Sequence, residues 1–152
     1  MMDIMEAIRK EDNEALKQAL EANPDLVNQK DERGFTPLIL ATYFENLKAT
    51  KIILSYQPEI NAQDASGNTA LMGVSFKGYF KLAQLLIDNG ANVNVQNYNG
   101  ATALFFAATF GQPEIVKLLL ENGADTSIKD QNGNTAKKQA QMQGNKQIEA
   151  LL

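Results

Sequence analysis

Any chemistry in this chain must come from carboxylates, hydroxyls and amines, because its 152 residues include no histidine and no cysteine. The side chain used most often as a general base and as a metal ligand is missing. Thiolate zinc sites and disulfides are missing with the cysteines. The most suggestive stretch is Asp130-Gln131-Asn132-Gly133-Asn134, which opens like a calcium loop with oxygen donors at alternate positions. Its glycine falls too early, and Gln141 stands where a bidentate glutamate is needed, so calcium is not expected. The run from Gly73 to Gly78, GVSFKG, lacks the Gly-Lys-Ser/Thr ending of a phosphate loop. No serine or lysine has an imidazole partner for nucleophilic catalysis. Asp31, Asp64 and Asp130 do recur, but each opens a stretch of four residues closed by glycine, as a type I turn prefers. Glu11, Glu14, Glu21, Glu114 and Glu121 read as solvated helix faces. No catalytic residue, no cofactor and no metal site is expected.

Composition narrows the partners. Hydrophobic residues make up 44% of the chain and charged residues 21%, ordinary values for a soluble fold. A net charge of −4 argues against nucleic acid, whose phosphates need clustered Lys and Arg. It gives no polybasic attraction to a membrane either. The start, MMDIMEAIRKEDNEALKQAL, is charged throughout and has no apolar signal core. No apolar run approaches the ~18 residues of a membrane span. The expectation is a soluble, cytoplasmic protein.

The recurring aspartates belong to a larger pattern. DERGFTPLILA, DASGNTALMGV, NYNGATALFFA and DQNGNTAKKQA begin at residues 31, 64, 97 and 130, a spacing of 33 each time. In each unit a turn leads to a threonine (Thr36, Thr69, Thr102 or Thr135) placed to cap a short helix. Pro37 follows Thr36 at the first helical position, where a missing N–H does no harm. Gly78 and Gly111 then break the chain. A second helix follows, such as Pro113 to Asn122, with Ile115, Val116, Leu118, Leu119 and Leu120 on its buried side. Gly90 and Gly123 end the second helices in the left-handed conformation.

A fixed period of this length signals stacked supersecondary units. The motif Thr36-Pro37-Leu38-Ile39-Leu40-Ala41, repeated more loosely from Thr69 and Thr102, resembles the hallmark of the ankyrin repeat family, and the resemblance covers essentially the whole chain. It implies an all-α solenoid of helix-turn-helix pairs with projecting β-turn or hairpin tips. The expected organisation is a single domain, with a cap at 1–30, full repeats at 31–63, 64–96 and 97–129, and a polar cap at 130–152, forming a complete array. In the first cap Ile4, Met5, Ile8, Leu16, Ala19 and Leu20 should point inward. In the last, Lys137 stands where Leu38, Leu71 and Leu104 stand, as an uncovered end requires. The family's hallmark histidine is Ile39, Met72 and Phe105 here, so its hydrogen-bond link between repeats must give way to apolar packing. Glu45 and Gln57-Pro58 replace the expected glycines in the first full repeat, which should be locally weaker.

The resemblance further implies a non-enzymatic module that binds a protein on the concave face made by turn tips and first helices. Matching positions between repeats suggest which side chains reach water. The place of Phe105 is always large and apolar, which predicts core. Phe106, aligned with Leu40 and Gly73, is also read as packing. Phe110 aligns with Phe44 and Lys77, and a lysine inside a stack implies solvent. The predicted partner-binding stripe is Arg33, Phe35, Tyr43, Phe44, Phe76, Lys77, Tyr98 and Phe110, with Phe110 paired along the groove with Phe44 across Lys77. Aromatics and arginine are the residues that interface cores favour. A monomer is expected, with a homodimer through the stripe as the other possibility. The competing reading is an enzyme or small-ligand protein working through surface carboxylates.

Overall fold

The structure, a computed structural model, describes residues 2–152; residue 1, the first of the 1–30 unit, lies outside them. Among the described residues there are ten α-helices and no strand. They run α1 Ile4–Arg9, α2 Asn13–Ala22, α3 Pro37–Tyr43, α4 Leu47–Leu54, α5 Ala70–Lys77, α6 Phe80–Asp88, α7 Ala103–Thr109, α8 Pro113–Glu121, α9 Ala136–Met142 and α10 Lys146–Leu151, with a 3-10 helix at Pro24–Asn28. The odd-numbered helices pack side by side in one row, and each packs on its even-numbered partner in a second row. The core lies between the rows and runs the length of the stack.

Local chemistry starts each odd helix in the same way. Thr36, Thr69, Thr102 and Thr135 are extended, and their Oγ1 atoms accept the N–H of Ile39, Met72, Phe105 and Lys138 at 3.1–3.2 Å. Each threonine thereby satisfies a donor that the first turn leaves open. Leu38, Leu71 and Leu104 follow and are almost fully buried. Burying each stabilises the stack by roughly 1.5–3 kcal/mol. Ile53, Leu86 and Leu119 fill the same space from the second row. The predicted inward residues of α1 and α2 are all buried. Leu120 is a correction: it is half-buried, packed at the edge of the apolar stripe of α8 rather than in its centre.

The tips are turns, not strand pairs. Asp31, Asp64, Asn97 and Asp130 each use Oδ1 to accept two N–H groups, two and four residues on, at 2.9–3.0 Å. Neighbouring tips are tied by single backbone bonds, Ala65 N–H to Arg33 C=O, Tyr98 N–H to Ser66 C=O and Gln131 N–H to Asn99 C=O. They stack so closely that a Cβ on Gly67 would stand 2.6 Å from the Tyr98 nitrogen. Glu45 takes φ of 55° where the matching Gly78 and Gly111 take 80° and 71°, and Gln57 takes 52° where the matching Gly90 and Gly123 take 94° and 86°, a region L side chains avoid. Glu11 does the same at 57°.

Candidate functional site

The face built from the tips and the odd-numbered helices carries most of the large exposed apolar side chains. Tyr43, Phe44, Phe76, Tyr98 and Phe110 are exposed, Phe44 at 45% and Phe110 at 49% of their free surface. Each sits at the end of a short first helix or at a tip, where the stack has no neighbour to lay over it. Phe35 differs from expectation: it is half-buried against the core, with the Arg33 guanidinium 4.2 Å above its ring centre. Tyr98, the most exposed at 67%, belongs to the tips, beside Gly67. Met142 is exposed at the matching end of α9, and Phe80 is exposed on the second row. Single exposed apolar residues of that kind are normal.

The aromatic rings form two groups. Phe35, Tyr43 and Phe44 are linked in series, with centroids 6.2 Å and 5.3 Å apart. Phe76 and Phe110 meet edge to face at 4.4 Å. The predicted pairing of Phe110 with Phe44 is therefore corrected: Phe110 pairs with Phe76 of the adjacent helix. Lys77 leans the other way, its Nζ 5.2 Å from the Tyr43 centroid and 6.0 Å from that of Phe76. No described carboxylate comes within 4.0 Å of that amine.

Phe105 and Phe106 also depart from the sequence expectation. Ile39 and Met72 are buried, as the packing reading requires, but Phe105 in the same place is only half-buried. The following helix α9 offers Lys138 there, exposed, instead of another apolar side chain. Phe106 is half-buried because its neighbour on α5 is Gly73. A Cβ on Gly73 would meet nothing within 4 Å. The missing side chain leaves a pocket of about 320 Å³, walled by Phe35, Tyr43, Phe76 and Phe106, floored by Met72 and Gly73. Lys77 and Asp64 also line it. Sequence comparison registered the Leu40, Gly73, Phe106 series only as packing. The signal for the pocket was there as a deleted side chain between two large ones.

The ionisable groups are dispersed. Asp31 is subject to burial, which raises its pKa, but the N–H groups of Phe35 and Arg33 and the Arg33 charge outweigh it and hold the carboxyl below its usual range. Arg9 and Arg33 both reach its Oδ2, at 3.6 and 3.5 Å. Asp125 is lowered by the hydroxyl and N–H of Ser127, in a separate turn. Both carboxylates serve their own turns. Among the described residues no three metal-capable side chains cluster, and no helix is long and apolar enough to cross a membrane.

Stacked helix pairs with tied turn tips define a helical repeat solenoid. The family model for ankyrin repeats (3 copies) matches residues 4–97 and 73–152, so the chain belongs to the ankyrin repeat family. Members of this family are generally protein–protein interaction modules, and the fold is known as a non-enzymatic one. A comparison with curated proteins gives no match.

Proposed function

We propose that the protein is a cytoplasmic, monomeric, non-enzymatic interaction module that binds a protein partner on its concave face. Arg33, Phe35, Tyr43, Phe44, Phe76, Lys77, Tyr98 and Phe110 would carry the contact. The observation behind this reading is the run of exposed rings spanning α3, α5 and α7, with cations between them and no neighbour over them. Each ring can bury ~150–250 Å² against a partner. Scattered exposed apolar groups are unremarkable, but a continuous patch marks an interaction surface. A reading as a carboxylate enzyme has less behind it, because the two carboxylates with lowered pKa are spent on separate turns.

The test is the double variant Phe44→Asp/Phe110→Asp. Both side chains are about half exposed, so thermal stability should stay close to that of the parent. Capture of binding proteins from the source proteome should fall sharply. A collapse in stability would show that the rings hold the stack together instead.

A further inference from the structure

Glycine inside a helix weakens it by increasing the freedom of the unfolded chain. It survives where φ is positive or where another group comes too close for a Cβ. Neither applies to Gly73: its backbone is helical, its φ is not among the positive ones, and a Cβ would point into open space. Leu40 and Phe106 show that the flanking helices carry large residues at this place. Nothing in the fold requires the glycine, and its one structural consequence is the pocket above it.

The pocket has a definite polarity. Four aromatic walls and the Met72 floor make it apolar, and its volume of about 320 Å³ has room for one large side chain. Lys77 stands at the helix end with no described carboxylate within 4.0 Å, and Arg33 stands over the Phe35 wall with its side chain 57% exposed. Asp64 faces the same space from the turn side, where its Oδ1 accepts the N–H of Ser66 and Asn68 at 2.9 Å. Aromatic walls can hold a cation, but Lys77 already lies over Tyr43 and would repel a second one. A carboxylate, by contrast, would find the unpaired amine of Lys77.

We infer that the Gly73 pocket is the anchor site of the partner-binding face, and that it takes one large apolar side chain, leucine or an aromatic, from a peptide segment carrying Asp or Glu beside it. This rests on the concave-face reading and specifies its ligand. The apolar side chain fills the space that glycine leaves, and the adjacent carboxylate pairs with Lys77 at the rim.

A random dodecapeptide display library selected on the immobilised protein tests this, followed by anisotropy titration of the enriched peptides against variants. Enriched peptides should share a Leu, Phe or Trp with an acidic residue within about two positions. Gly73→Leu should weaken them at least about tenfold, the scale of a filled anchor pocket, while the melting temperature holds or rises. Lys77→Glu, on an exposed side chain, should weaken them severalfold and reverse their salt dependence. Peptides that ignore both variants but are lost with Phe44→Asp/Phe110→Asp would overturn the pocket and leave the concave face standing. Peptides indifferent to all three, basic peptides, or no enriched peptide at all would likewise overturn the pocket, and indifference to all three would take the concave face with it.

Discussion

Helices α5 and α7 stand side by side in one row, each opened by a threonine cap and each burying an alanine and a leucine at its start. After that they diverge. Gly73, Ser75 and Lys77 of α5 correspond in sequence to Phe106 and Ala108 of α7 and to Phe110 just after it. The agreement falls where the stack dictates the residue, because a cap must meet an open N–H and a leucine must fill the space between the rows. The divergence at Lys77 and Phe110 falls on exposed surface, and that at Gly73 and Phe106 falls on the pocket. Ser75 is different in kind. It is fully buried, and its hydroxyl has no hydrogen-bond partner. Thr42, in the same place on α3, donates its hydroxyl to the carbonyls of Leu38 and Ile39 at 2.9 and 3.0 Å. The middle helix therefore keeps the shared frame but gives up stability at two positions, one of which lines the pocket.

The largest effect should be common to both helices. Leu71→Ala and Leu104→Ala each remove a buried leucine from the same place and should each destabilise by about 2–5 kcal/mol. Urea unfolding of the two variants checks this. If Leu71→Ala lost less than half as much as Leu104→Ala, α5 would be loosely packed throughout, and its weakness would not be confined to Gly73 and Ser75. Because repeat arrays can unfold in parts, amide hydrogen exchange of α5 and α7 should accompany the global curve.

Exchanging the buried residue between the helices comes next. Ser75→Ala should stabilise the protein by about 1–3 kcal/mol, since an unpaired buried hydroxyl is replaced by a group that needs no partner. Ala108→Ser should destabilise by a similar amount. A rise in melting temperature for the first and a fall for the second is the expected result. A neutral Ser75→Ala would mean that the hydroxyl does find a partner in solution.

A smaller effect belongs to the joints. Glu45 and Gln57 hold left-handed backbone that Gly78, Gly90 and Gly111 hold elsewhere. Glu45→Gly should gain about 0.5–1 kcal/mol, the relief of left-handed strain less the greater entropy of unfolded glycine. The α3–α4 pair should show the gain as slower amide exchange. Unchanged exchange there would remove the argument that this repeat is the weak one.

Much of the frame was legible because it is local. A turn needs its Asp and Gly within four residues, a cap needs its threonine three residues before the N–H it accepts, and the period of 33 repeats both. What escaped depends on neighbours brought in from other repeats. Phe105 is half-exposed because α9 supplies Lys138 and no apolar cover. Phe110 turns to Phe76 because Lys77 leans on Tyr43, a choice among rings that spacing does not decide. The pocket needs a glycine seen against Phe35 and Tyr43 from one repeat and Phe106 from the next. Glu11 has no aligned glycine to reveal its strained backbone, whereas Glu45 does.

The smallest effect separates the tip of the first full repeat from that of the third. Asp31 and Asn97 accept the same pair of N–H groups, but only Asp31 can ionise, and only Asp31 has Arg9 and Arg33 at its second oxygen. Its pKa in the fold lies below the usual carboxylate value, burial being outweighed by the two N–H donors and the arginine charge. For such a group the unfolded chain takes up its proton first as pH falls. The stabilisation is therefore complete above the unfolded value of about 4 and drains away as pH drops through the lower folded value. Asp31→Asn converts this tip to the Asn97 form, with the turn bonds kept and the charge removed. At neutral pH it should be slightly less stable than the parent, and below about pH 4 the difference should close. Urea midpoints measured from neutral pH down to the acid limit give the two curves. If they stay parallel, the Asp31 charge contributes nothing and the two tips differ in sequence alone.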